Sequence, residues 1–131
     1  MTNLEEAKEF FAADRYATEV TGIDILQVGE HYAKCVLNIE DRHKNAVGHV
    51  MGGVIFTLAD FVFAVAANFA APAPTVTVTS NISYLASPRG NTLYGEAKLL
   101  KDGKRNCFYE ITITDDLSTP VAVVTTNGAH L

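Results

Sequence analysis

Several things are scarce in this chain, and each scarcity removes a class of function. There are only two cysteines, Cys35 and Cys107, in 131 residues. Both fall in strand-like runs, so they read as reduced core residues rather than a disulfide framework. Basic side chains are few: ten Lys and Arg stand against fifteen Asp and Glu, a net charge of −5. Proteins that grip nucleic acid usually carry a basic face, and this balance argues against such a partner. The N-terminus, Met1-Thr2-Asn3-Leu4-Glu5-Glu6, lacks the basic-then-apolar order of a secretory leader, so a cytoplasmic protein is expected. An unbroken apolar run is missing too. The nearest is Val54 to Ala71, about long enough to span a bilayer, but Asp60 and Asn68 interrupt it and no basic flanks anchor it. A carboxylate near the middle of a lone span is costly, so the segment reads as a helix buried in a soluble protein, with no membrane contact. Repeats, linkers and low-complexity tracts are absent. Residues 1–131 therefore read as one domain, with an N-terminal helix in 1–14 and the core in 15–131.

What is present has a clear order. Leu4 to Ala13 reads as a short helix capped by Asn3, with Glu5 and Glu6 in its first turn. Gly22 to Val28 alternates around Ile23 and Ile25, turns at Gly29-Glu30, and returns through Tyr32 to Ile39 as a hairpin. Glu40 to Met51 is a loop rich in His, Asn and Gly. A long helix opens at Gly52-Gly53 and ends near Phe69, stopped by Pro72 and Pro74. Four strand candidates follow: Val76 to Leu85, Thr92 to Lys101, Asn106 to Thr114 and Val121 to Asn127. A helix apolar nearly all round must be covered on most sides, and a curved antiparallel sheet wrapped around it would do so. The class is α+β.

The stretch Asn45-Ala46-Val47-Gly48-His49-Val50-Met51-Gly52-Gly53 through Leu58-Ala59-Asp60 carries most of the chemical information. Two glycines opening a helix leave backbone N–H groups unobstructed at its positive end, where they can polarise a carbonyl or merely permit close packing. Asp60 lies two turns into an apolar helix. A carboxylate that has lost solvent there should have a raised pKa, and it serves either catalysis or a structural hydrogen bond to a strand.

Asn45, Gly48, Gly52-Gly53 and Leu58-Ala59-Asp60, at this spacing, resemble the signature of the PaaI-like hotdog thioesterases. The resemblance continues through Val76 to Tyr84 and Ser87-Pro88-Arg89-Gly90, and covers roughly residues 17 to 130. It implies a hotdog fold, a curved antiparallel sheet around a long central helix. It also implies hydrolysis of acyl-CoA thioesters without a cofactor. By resemblance, Asp60 activates water or attacks directly, Asn45 positions thioester or water, the Gly52 N–H polarises the carbonyl, and Thr77 assists the water. One position departs: the family's His before Gly-Gly is Met51 here, with His49 two residues earlier. Met51, Gly53 and His49 are assigned to substrate binding. Arg89, Lys104 and Arg105, in a cluster with Lys98 and Lys101 around consecutive turns, face either the phosphates of CoA or solvent.

Other groups read as structural. Asp41, His43 and His49 share one loop and make a poor metal set, so no metal is expected. His31 and His130 are expected at the surface. Phe56, Phe61, Phe63, Tyr84, Ala64 and Ala67 suggest an apolar acyl tunnel or plain core. Gly52 and Asp60 are eight residues apart, about 12 Å along the axis at ~1.5 Å per residue, so one thioester cannot readily touch both in one chain. An antiparallel copy of the helix would join them, giving a homodimer with shared sites, and the resemblance adds pairing to a tetramer. Two other functions stay open: a hotdog dehydratase, and a non-catalytic acyl-CoA binding protein.

Overall fold

The computed structural model describes residues Met1–Leu131. Helix α1 (Leu4–Phe11) is followed by a single π-helical turn (Tyr16–Thr21), then strands β1 (Asp24–Gly29) and β2 (Tyr32–Asn38). A short 3-10 turn (Asp41–His43) leads to α2 (Gly52–Asn68), then β3 (Thr75–Tyr84), β4 (Thr92–Asp102), β5 (Asn106–Asp115) and β6 (Pro120–His130). The six strands form one antiparallel sheet in the order β1-β2-β4-β5-β6-β3. This is the curved sheet around a central helix that the sequence implied. Helix α2 links β2, near one edge, to β3, at the other, so it must cross the concave face. No helix is long and apolar enough to cross a membrane.

Alternation explains the inner face. Ala33, Cys35 and Leu37 of β2 are buried, as are Leu93 and Ala97 of β4 and Tyr109, Ile111 and Ile113 of β5. Against them α2 buries Leu58, Val62, Phe63 and Val65. Each such large side chain contributes about 1.5–3 kcal/mol on leaving water. Both cysteines are free and buried, and burial pushes the Cys35 thiol well above its usual range. Asn68 has a structural reason to end α2: its Oδ1 accepts from Thr75 N at 2.8 Å and its Nδ2 donates to Thr75 O at 3.1 Å. That pair ties the helix end to the first residue of β3.

One expectation changes, and another is refined. The N-terminal helix stops at Phe11 rather than Ala13, and the chain then makes the π-helical turn, closed by Gly22 at φ 88°. A left-handed residue there favours glycine. Helix α2 is covered on most sides, as expected, with one stripe left open. Gly53 and Asp60 are exposed and Thr57 and Ala64 half-buried, spaced four, three and four residues apart. That spacing is one stripe along the helix, left partly open to solvent, with only the segment after α1 and Thr77 of β3 flanking it at Asp60.

Candidate active site

The expected catalytic residues divide between two clefts. Asp60 sits on the open stripe of α2 in a cleft of about 370 Å³, with Phe56, Thr57, Phe61 and Ala64 from the same helix. The Thr77 hydroxyl, on β3, donates to Asp60 Oδ1 at 3.4 Å. Asp60 is more exposed than an apolar helix suggested, yet the cleft walls still strip water from it. Burial pushes its carboxyl above the usual range, the Thr77 hydroxyl pulls it back, and the negative charge of Asp14 raises it again.

Asn45, His49 and Gly52 line the second cleft, of about 380 Å³, together with Ile55, Tyr84 and Pro88. The loop before α2 is built around Asn45. Its Oδ1 accepts from Val47 N and His49 N, both at 3.1 Å, and its backbone N–H donates to His49 O at 2.7 Å. Gly48, at φ 87°, makes the reversal. These bonds fix the Asn45 side chain through its oxygen and leave the amide N–H₂ as its free donor. No side chain caps the start of α2, so its first N–H groups stay open. The Tyr84 hydroxyl donates to Gly52 O at 2.8 Å, and a Cβ on Gly52 would come within 3.0 Å of that hydroxyl. Met51 is half exposed beside Gly53.

Other assignments are redistributed. Phe63 packs edge-on against Tyr109, with centroids 5.3 Å apart, and is core, whereas Phe56, Phe61 and Ala64 do line the Asp60 cleft. The basic residues do not gather within one chain. Arg89 precedes β4 and Lys104 and Arg105 follow it, so the 11-residue strand separates them. Lys104 lines a third cleft, with His31, Asp102 and His130. Those histidines are not free surface groups: His130 bridges Thr75 Oγ1 and Asp102 Oδ1, both at 2.8 Å, and His31 Nδ1 lies 3.0 Å from the Tyr109 hydroxyl. His43 is buried, with Nε2 2.7 Å from Thr21 O and Nδ1 accepting from Glu40 N at 2.9 Å, so both ring nitrogens serve the loop.

Sequence reasoning missed Asp14, Arg15 and Tyr16, which wall the Asp60 cleft. No periodicity connects them to α2. They arrive through tertiary packing, with Phe11 edge-on to Phe61 at 6.1 Å between centroids.

A six-stranded sheet curved over one helix, with an open helix N-terminus and a poorly solvated carboxylate on that helix, matches a known family. The model of the thioesterase superfamily matches residues 47–122, and the chain belongs to that family as a PaaI-like hotdog thioester hydrolase. It is 31% identical to the acyl-coenzyme A thioesterase PaaI of Escherichia coli K12 over 103 residues, 78% of this chain and 73% of that one. It is 29% identical to human acyl-coenzyme A thioesterase 13 over 99 residues, 74% of this chain and 71% of that one. The structure of E. coli PaaI superposes with a TM-score of 0.85 at 25% identity, covering 98% of this chain and 96% of that one. A Streptococcus mutans protein, smu.793, solved bound to acetyl CoA, superposes with a TM-score of 0.77 at 25% identity, covering 83% and 88%.

Proposed function

We propose that this protein hydrolyses acyl-CoA thioesters to the free acid and CoA, at sites completed by a second copy of the chain. The observation that carries the reading is the division of the site: Asp60 and Thr77 at one cleft, and Asn45 with the Gly52 end of α2 at the other. In the assembled site Asp60 takes a proton from water, or attacks the thioester carbonyl itself. The Gly52 N–H, at the positive end of α2, polarises that carbonyl. The Asn45 amide orients thioester or water, and Thr77 steadies Asp60. A general base supplies about 10²–10⁴-fold and one oxyanion donor about 10²–10³-fold.

Two features support a twofold pairing. The stripe Gly53, Thr57, Asp60 and Ala64 is only partly covered, and β3 is an edge strand with Val76 43% and Val78 58% exposed. Such an edge invites another strand. Thr77 of β3 touches the Asp60 cleft and Tyr84 touches the Gly52 cleft. One antiparallel operation that sets Thr77 opposite the partner's Tyr84 also sets Asp60 opposite the partner's Gly52. A tetramer built from two such pairs, and binding of CoA phosphates by Arg89, Lys104 and Arg105, belong to the same proposal. The names of the relatives, and the acetyl CoA in the S. mutans structure, support the substrate class.

The test is turnover of a panel of acyl-CoAs followed with a thiol reagent. Release of free CoA is expected. Hydration of an enoyl-CoA, or tight binding with no turnover, would overturn hydrolysis in favour of a dehydratase or a binding protein.

A further inference from the structure

Asp60 shares its cleft with a second carboxylate. Phe11, the last residue of α1, holds the chain against Phe61, the residue after Asp60. Three residues later Asp14 reaches the rim of the same cleft, followed by Arg15 and Tyr16. The Asp14 peptide is fixed, because its carbonyl accepts from both the N–H and the hydroxyl of Thr18 at 3.0 Å. Its side chain is not spent on the fold: burial alone raises its carboxyl, with no hydrogen bond or cation opposing it. Arg15 relieves neither carboxylate. The groups facing Asp60 are thus Asp14, Arg15 and Tyr16 from the segment after α1, Thr57 from α2 and Thr77 from β3.

We propose that Asp14 is a positioning residue for the reaction, a second carboxylate held by the Phe11–Phe61 packing at the rim of the cleft where Asp60 meets water, acting through Asp60. The inference rests on Asp60 being the group that handles water. A like charge nearby disfavours ionisation, and Asp14 acts on Asp60 in that direction, after burial and against Thr77. A base closer to the working pH takes a proton from water more readily. The adjacent carboxylate therefore adds to what burial begins. Its effect acts through charge, since no hydrogen bond joins the two carboxyl groups.

The experiment is Asp14→Asn, which keeps shape and removes charge. The acid limb of kcat/KM against pH is expected to move to lower pH, with plateau turnover falling by roughly twofold to fivefold as the base weakens. Carbon NMR of the Asp60 carboxyl in the unliganded protein should show its titration moving the same way. Raising ionic strength should move the wild-type titration toward that of the variant, because screening removes what the substitution removes. This last measurement needs no variant. An Asp60 titration unchanged by both the substitution and salt overturns the inference and leaves Asp60 itself untouched. Near-normal turnover in Asp60→Asn instead overturns the reading of the site, and the role of Asp14 with it.

Discussion

Two aspartates meet opposite environments in this fold. Asp115, at the end of β5, is only 3% exposed. Burial works against its ionisation, yet four backbone N–H groups overcome it. Arg89 N and Gly90 N donate to Oδ2 at 2.7 and 2.9 Å, and Leu117 N and Thr119 N to Oδ1 at 3.0 and 2.8 Å. The carboxyl is held well below its usual range. Asp60 is more exposed but receives one long hydrogen bond, and its carboxyl is pushed up. The number of donors, not the depth of burial, sets the direction. A carboxylate served on both oxygens is spent on the loops it ties together. One left underserved keeps its basicity, which is what the proposed role of Asp60 requires.

The comparison breaks most visibly in activity. Asp60→Asn is expected to lower kcat by ~10²-fold or more while the fold survives, as steady-state kinetics and circular dichroism would show. Near-normal turnover would remove Asp60 from the chemistry. The same variant should unfold at slightly higher temperature near neutral pH. A raised folded-state pKa means that ionised Asp60 opposes folding, and an amide relieves it. Asp115→Asn should do the reverse. It strands buried N–H donors and should cost roughly 2–4 kcal/mol in urea unfolding, with turnover per folded molecule preserved. Its depressed pKa also fixes the pH window. The stability it supplies is fully present above the unfolded carboxylate value of ~3.9 and is lost as pH falls through that value toward the lower folded one. Wild type and variant should therefore converge in acid. If the variant loses activity in step with Asp60→Asn, the two aspartates are not divided as argued.

Little of that contrast is legible in the sequence, for a physical reason. Elements whose burial is periodic were readable: the β2 alternation of Ala33, Cys35 and Leu37, and the apolar run of α2. Asn45, Gly52 and Asp60 could be named together because the family-like spacing that links them is local to one loop and helix; the structure sets them in two clefts. Asp115 leaves no local signal, since its donors come from 89–90 and 117–119. Asp14 reaches Asp60 through Phe11–Phe61 packing, and His31 and His130 find their partners across strand ends. The open stripe of α2 did leave a signal, since Gly53, Thr57, Asp60 and Ala64 are its small and polar positions. Mean apolarity hid it.

A mixing experiment sharpens the contrast by asking whether the underserved aspartate is completed by a copy. Asn45→Ala and Asp60→Asn, each inactive alone, would be unfolded and refolded together so that chains exchange. In a heterodimer one site inherits both defects and the other neither. With random exchange about half the dimers are mixed and each has one intact site, so roughly a quarter of wild-type activity should return. Confirmed exchange without recovery would place both residues in one chain's site.

The smallest effect is expected at Met51, where the other half of the site differs from the family signature. Met51 is 50% exposed and precedes the uncapped first turn of α2. Its methyl lies against Gly53 rather than in the core, where a Cβ on Gly53 would meet it at 2.9 Å. Met51→His should therefore fold normally, within about 0.5 kcal/mol of wild type, as exposed substitutions generally do. A histidine there adds a donor that methionine lacks. It would stand beside the Gly52 N–H and far from Asp60, about 12 Å along the helix at ~1.5 Å per residue. The base is unchanged, so the pH dependence set by Asp60 should not move, and turnover should survive with at most a modest change in KM. Failure to fold would mean that Met51 packs as core and that the register of Asn45, Gly52 and Asp60 is wrong. A shifted acid limb would mean that the two halves of the site are electrically coupled, and that Asp60 is tuned from the helix N-terminus as well as from its own cleft.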